Sequence, residues 1–305
     1  MDSGRLSGVI TKKYLSGAVV ICSCSHVLKI VLMLNKKGKE GFFLMNQQNF
    51  TELLRANAYP GRGILLGRAP DGESMTAVYF IMGRSSSSRN RVFVSTSDGI
   101  RTQAYDTSAM ERPELLIYHP VRTCRGNLIV TNGDQTDTIY NALSAAHDTS
   151  GNARSNAYDA LSDNVSNAGE IFTQALRTRT FEPDAPHYTP RISGVIPAQG
   201  NIHLSVLKTA GGNPEISQRS FFEYGNPGAG EGYFVHTYRN DGNPLPSFEG
   251  EPVRVKVDAP DARTLAECVW DALNVDNRVS LFVRYVRNGG KCDDVIINRH
   301  GNAQT

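Results

Sequence analysis

The feature that most constrains this chain is a change of hydrophobic period along its length. From Ile64 onward, short runs of β-branched and aromatic residues alternate with turn signals. Such residues favour a pleated, half-buried surface. Gly63–Arg68 reads as a buried strand, Pro70-Asp71-Gly72 as its turn, and Ala77–Gly83 as its hairpin partner. Val92–Thr96, Glu114–Tyr118 and Asn127–Thr131 continue the series. Then the period changes. Thr136–His147 and Asn167–Arg177 are Ala-rich and long enough for helices, with Ile139, Leu143, Ile171 and Leu176 as apolar anchors. Strands return at Arg191–Ile196, Ile202–Leu207, Gly232–Tyr238 and Val253–Val257. A helix over Ala262–Leu273 sets Leu265, Ala266, Val269, Trp270 and Leu273 on one face, and Val279–Val286 is a last strand. This order predicts an α+β fold with stacked sheets between helical layers.

No repeat or linker divides residues 45–305, so a single domain is expected there. The first 44 residues differ in character from the rest of the chain. Residues 18–34 are apolar but interrupted by Ser23, Ser25, His26 and Lys29. A central Lys with a His is expensive in a membrane span. A secretory signal is only poorly sketched, and no small-residue cleavage site accompanies it. The favoured reading is that translation starts at Met45, with an appendage that lacks order or a cleaved signal as alternatives.

The chain of 305 residues is 40% hydrophobic and 20% charged, which describes an ordinary globular protein. Its 32 Lys plus Arg against 30 Asp plus Glu give a net charge of +2. That balance argues against a dedicated nucleic-acid binder but leaves room for one basic pocket and a small anion. Cys22, Cys24, Cys124, Cys268 and Cys292 are odd in number and fit no zinc spacing. They read as free thiols in a reducing compartment, which makes the cytoplasm the expected location.

Three segments are rich in groups that do chemistry. Gly83-Arg84-Ser85-Ser86-Ser87-Ser88-Arg89-Asn90-Arg91 comes directly after a buried strand. Guanidinium forks and Ser hydroxyls suit phosphate oxygens, although most Ser-rich runs are solvated turns. Thr131–Thr138 combines the Asn132-Gly133 turn with Asp134 or Thr136 as a helix cap. It reads equally as a plain strand–turn–helix junction or as a helix start offered to a substrate oxygen. Phe181–Ile192 holds three Pro within eight residues, which should keep the backbone extended, and displays Glu182, Asp184, His187, Tyr188 and Arg191. The plain alternative is a rigid connection with solvated charges.

Taken in order, these segments resemble the archaeal-type IMP cyclohydrolase family. The resemblance rests on Tyr79–Arg91, Leu116-Ile117-Tyr118, Asn132-Gly133-Asp134-Gln135-Thr136-Asp137-Thr138-Ile139, and Glu182 with Thr189-Pro190-Arg191-Ile192. It spans roughly residues 60–290. It implies an Ntn-hydrolase-like αββα sandwich of mostly antiparallel sheets, without an amino-terminal nucleophile. It further implies dehydrative ring closure of a formamido-imidazole-carboxamide ribotide, with no metal and no other cofactor. By that resemblance Arg91, Tyr118 and Glu182 occupy the catalytic positions. Arg84, Ser87, Ser88 and Arg89 are candidates for the phosphate, with Asn132 and Arg191 closing the pocket. The expected partner is a small purine ribotide, with no nucleic acid or membrane, and homo-oligomerisation is left open. The amino-terminal extension, Gly225–Gly232 and Arg239–Gly250 depart from the compact family form. Two rival readings are an Ntn-type amidohydrolase, needing a nucleophile at a processed amino terminus, and a ribotide-binding module without turnover.

Overall fold

The computed structural model describes residues 14–15, 18–19, 30–34, 40–44, 48–109, 116–150 and 168–301. The chain divides into two compact units, Met1–Gln47 and Gln48–Thr305. In the first, β1 (Tyr14–Leu15) pairs antiparallel with β2 (Ala18–Val19), and β3 (Ile30–Leu34) with β4 (Glu40–Leu44). The apolar stretch 18–34 thus contributes two strands. No described helix is long and apolar enough to cross a membrane. The start expected at Met45 lies outside the described residues.

The second unit opens with β5 (Gln48–Asn49), α1 (Phe50–Ala56), β6 (Arg62–Arg68), β7 (Met75–Met82) and α2 (Ser86–Arg89). Next are β8 (Val92–Ser95), β9 (Gly99–Gln103), β10 (Val121–Cys124), β11 (Asn127–Thr131), α3 (Gln135–Ser150) and α4 (Ala168–Ala175). Then come β12 (Arg191–Ile196), β13 (Ile202–Ala210), β14 (Asn213–Tyr224), β15 (Glu231–His236) and β16 (Val253–Lys256). The unit closes with α5 (Ala262–Ala272), β17 (Arg278–Val286) and β18 (Cys292–Asn298).

It is α+β, with two seven-stranded sheets. One runs β14-β13-β12-β11-β10-β9-β8, each strand antiparallel to its neighbour. The other runs β18-β17-β7-β6-β15-β16-β5, antiparallel except where β16 meets β5.

The alternation of side chains along each strand sorts the apolar residues into separate cores. On β7, Ala77, Tyr79 and Ile81 share a core with Val121, Val130, Ile192 and Leu204 of the first sheet. Val78, Phe80 and Met82 join instead Phe50 and Leu54 of α1 and Leu265, Ala266 and Val269 of α5. A third core sets Ile139 and Leu143 of α3 and Phe172 of α4 against Ile129, Val195 and Leu207. Each fully buried Leu, Val or Phe contributes about 1.5–3 kcal/mol relative to exposure. The residues that β17 pairs with β7 skip Val279, since Arg278 faces Met82 and Ser280 faces Ile81. This bulge turns Val279 into the inter-sheet core while Leu281 and Val283 face the helices.

Two expectations need correction. Leu116–Tyr118 is not strand: Leu116 is helical and Ile117 and Tyr118 are irregular, while residues 110–115 lie outside the described ones. The Thr102 side chain explains this. Its hydroxyl donates to the Leu116 carbonyl at 2.5 Å and accepts from the Tyr118 N–H at 2.9 Å, replacing part of a ladder. The Pro-rich segment is not extended throughout either, because Ala185–His187 form a turn. Asp184 nucleates it, accepting at its carbonyl from the His187 N–H at 3.0 Å and at its carboxylate from the Thr189 N–H at 2.6 Å.

Candidate active site

Antiparallel pairing dictates where distant segments meet. In the first sheet β8, β10 and β12 all begin at the edge where β9 and β11 end. In the second, Gly63 at the start of β6 faces both Phe80 near the end of β7 and His236 at the end of β15. The two edges coincide. The Tyr79 hydroxyl, from the second sheet, lies 2.8 Å from that of Tyr118, just before β10. Arg62 Nη2, at the start of β6, lies 3.5 Å from Glu182 Oε2, ahead of β12.

Arg91 stands immediately before β8 and is only 1% exposed. Its Nε donates to the Ser88 carbonyl at 2.9 Å, and its Nη1 is buried without a partner among the described residues. The preceding loop aims it. Ser85 and Ser88 form a reciprocal capping box on the four-residue α2. Gly83 makes this fold-back possible, since a Cβ there would lie 2.8 Å from both the carbonyl carbon and oxygen of Ser88. Burial, and then the neighbouring Arg62, lower the Arg91 pKa from the ordinary guanidinium value. A buried guanidinium N–H without an acceptor is a costly feature for a fold to retain.

Burial also raises the pKa of Tyr118, against the pull of Arg91 and Arg62, and raises that of Tyr79 further. Tyr118 is therefore the phenol better placed to give up a proton. Either hydroxyl can donate in the hydrogen bond that the two phenols share. Glu182 is 4% exposed. Burial raises its pKa, Arg62 resists that most, and Asp184 adds to it. Arg91, Tyr118 and Glu182 each lie within electrostatic reach of the other two.

The segment that presents Glu182 is closed on itself. The Glu182 N–H donates to the Thr189 carbonyl at 2.9 Å, and the Thr189 hydroxyl sits 2.5 Å from that of Tyr238 while donating to Asp184. Tyr188 adopts φ 43°, a left-handed conformation that costs a non-glycine residue about 1–2 kcal/mol.

The remaining candidates are held differently. Arg84 donates to Asp241 at 2.6 Å and to the Gly242 carbonyl at 2.8 Å, with its guanidinium 5.1 Å from the centre of the Tyr59 ring. Arg89 braces the loop through the Gly83 carbonyl at 2.9 Å and Asn277 at 3.3 Å. Ser88 serves the cap, and Ser87 is half-buried beside it. Asn132 is fully buried, donating to the Pro190 carbonyl at 2.9 Å and accepting from the Ile192 N–H at 2.8 Å. Arg191 reaches Gln135 at 2.7 Å and also Asp134, whose same carboxylate oxygen lies 2.5 Å from Arg179. Thus Arg91, Tyr118 and Glu182 converge, while Arg84, Arg89, Asn132 and Arg191 brace the segments around them.

Sequence reasoning missed Arg62 and Tyr59, and it saw Tyr79 and Tyr238 only as parts of strands. The one local signal was Gly61-Arg62-Gly63, an Arg between two glycines at a strand start. Gly61 has φ 77°, and a Cβ there would strike the Thr237 hydroxyl at 2.3 Å and the Tyr238 ring at 2.5 Å. Among the described residues no group of three or more His, Cys, Asp or Glu side chains forms a metal site. Cys124, Cys268 and Cys292 are free thiols, and Cys22 and Cys24 lie outside the described residues.

A family model described as IMP cyclohydrolase-like protein matches residues 59–290. The match begins at Tyr59, the first residue of the cluster, and spans Arg62, Arg91, Tyr118 and Glu182. No curated protein matches the chain. With most of the second unit covered in one continuous match, the chain belongs to the IMP cyclohydrolase-like protein family.

Proposed function

We propose that this protein is an IMP cyclohydrolase, closing 5-formamidoimidazole-4-carboxamide ribotide to IMP within an Ntn-hydrolase-like αββα framework. The observation that supports this best is the buried, unpartnered Nη1 of Arg91, set beside a neutral phenol and a buried carboxylate.

Ring closure has demanding requirements. The carboxamide nitrogen is a poor nucleophile and must be held about 3–3.5 Å from the formyl carbon. As the N–C bond forms, the formyl oxygen gathers negative charge. Arg91 Nη1 and the Tyr118 hydroxyl supply fixed donors for it in a site where water does not compete. Glu182 accepts the proton that leaves the attacking nitrogen. Tyr118 protonates the oxygen, held by the hydrogen bond that it shares with Tyr79. The hydroxyl of the cyclic intermediate then departs as water with the proton held by Glu182, while the former formamido nitrogen returns a proton to Tyr118. Each step moves a proton or an oxygen, and none changes oxidation state. Arg84, Ser87, Ser88, Arg89, Asn132 and Arg191 form the candidate ribotide surround.

The experiment is turnover of the formylated ribotide by purified protein, monitored by the absorbance change of ring closure. Arg91→Ala is expected to lower kcat about 10²–10³-fold, as loss of an oxyanion donor does. Folded protein that binds ribotide without accelerating closure would leave a binding module instead.

A further inference from the structure

We propose that Arg62 is a positioning residue of this site, holding the Glu182 carboxylate in place and ionised so that it can take a proton from the substrate nitrogen. The proposal rests on the ring-closing function assigned to the site.

Arg62 is the first residue of β6, and alternation puts its side chain on the face of Ile64 and Leu66, between the sheets. There its Nη2 lies 3.5 Å from Glu182 Oε2, the two side chains being 12% and 5% exposed. Other charged and titratable groups around Glu182 come from several elements. Asp184 belongs to its own segment, Arg191 to β12 and Arg91 to the start of β8. Tyr118 reaches in from before β10 and Tyr238 from after β15. Arg191 is committed to Asp134 and Gln135, and Arg91 Nε to the Ser88 carbonyl. Arg62 is the cation that makes the ion pair with Glu182, and it opposes the effect of burial there most strongly.

The chemistry needs that neutralisation. A carboxyl group buried among two phenols and a second carboxylate takes up a proton, and a protonated carboxyl cannot act as a base. Arg62 Nε is buried and, like Arg91 Nη1, has no partner among the described residues. The Arg62 guanidinium thus retains a donor after its contact with Glu182 is made.

The test compares Arg62→Met and Arg62→Lys with the intact protein, reading kcat against pH and, separately, the protonation of Glu182. Infrared difference spectra report that protonation, with the carboxylic-acid band assigned by its loss in Glu182→Gln. In Arg62→Met the acidic limb of the kcat profile and the Glu182 titration are both expected to move up by one pH unit or more. In Arg62→Lys they stay within about half a unit of the intact protein, because Lys keeps the charge. A limb unmoved in Arg62→Met, or moved equally in both variants, overturns the proposal and leaves Arg62 a structural residue. Should Arg62→Met fail to fold, Arg62→Lys decides alone: a protonated Glu182 at neutral pH in that variant overturns the proposal, and an ionised one supports it. If intact protein shows no turnover while Glu182 titrates as stated, the ring-closing reading fails and the Arg62–Glu182 pairing survives.

Discussion

Acidification should weaken this fold through one buried histidine. His236 ends β15, is 7% exposed, lies 5.0 Å from the ring of Phe234 and meets Phe248 edge-on at 4.8 Å. Its Nδ1 is 2.8 Å from the Tyr238 carbonyl, so the neutral ring donates there and helps to fix the segment whose hydroxyl holds Thr189. Burial depresses its pKa from 6.5 to about 4. Between those values the unfolded chain binds a proton that the native protein refuses. Stability is therefore whole above about pH 6.5 and is lost progressively as pH falls toward 4. At about 1.4 kcal/mol per unit, the loss is about 2 kcal/mol at pH 5 and about 3 kcal/mol near pH 4. Paired carboxylates such as Asp98 lose stability in acid as well, so the histidine must be isolated by difference. His236→Phe keeps the ring contacts and removes the titration, at a pH-independent cost of about 1 kcal/mol for the lost hydrogen bond. Denaturant unfolding of both proteins at pH 7.5 and 5.0 gives the comparison. The intact protein should lose about 2 kcal/mol more than the variant over that interval. Parallel losses within about 0.5 kcal/mol, or a native His236 that titrates near its ordinary value by NMR, would refute the argument.

Three further outcomes are expected. If the proposed ring closure holds, Tyr118→Phe should slow it more than Tyr79→Phe, because the proposal sets Tyr118 against the reacting oxygen and Tyr79 behind it; steady-state kinetics of both variants give the order. Gly83→Ala should destabilise by about 1–3 kcal/mol and lower the melting temperature, since the new Cβ presses on the backbone carbonyl of Ser88 as well as on its hydroxyl. It should also lower kcat through Arg91, whose Nε is held by that same Ser88 carbonyl. Thr189→Val removes the hydroxyl joining Asp184 to Tyr238 and should lower the stability measured by denaturant unfolding by about 1–3 kcal/mol, since it leaves the buried Tyr238 hydroxyl without that partner.

Much of the framework was readable in the residues. Gly63–Arg68 and Ala77–Gly83 proved to be a hairpin, and Ala262–Leu273 a helix packed through Leu265, Ala266 and Val269. These elements announce themselves because burial on one or both faces writes a period of two or of 3.6 into local sequence. β14, Asn213–Tyr224, escaped notice because it is an edge strand with much of its length exposed and polar residues throughout. β9 and β10 were missed for a related reason, being short strands that mix apolar and polar residues. Arg91, Tyr118 and Glu182 were named through the resemblance of their segments to a family, since nothing in a lone Tyr or Glu distinguishes a reacting group from a packed or solvated one.

Local sequence, then, was enough for the α+β class and for most strand and helix positions, because each follows from residues close in the chain. Which groups share a buried site was decided by the register and stacking of the two sheets. Burial, the missing partner of Arg91, the pairing of Arg62 with Glu182 and the hydrogen bond between Tyr79 and Tyr118 all arise between residues far apart in sequence. Such properties belong to the low-dielectric surroundings of a side chain, and those exist only once the sheets have packed.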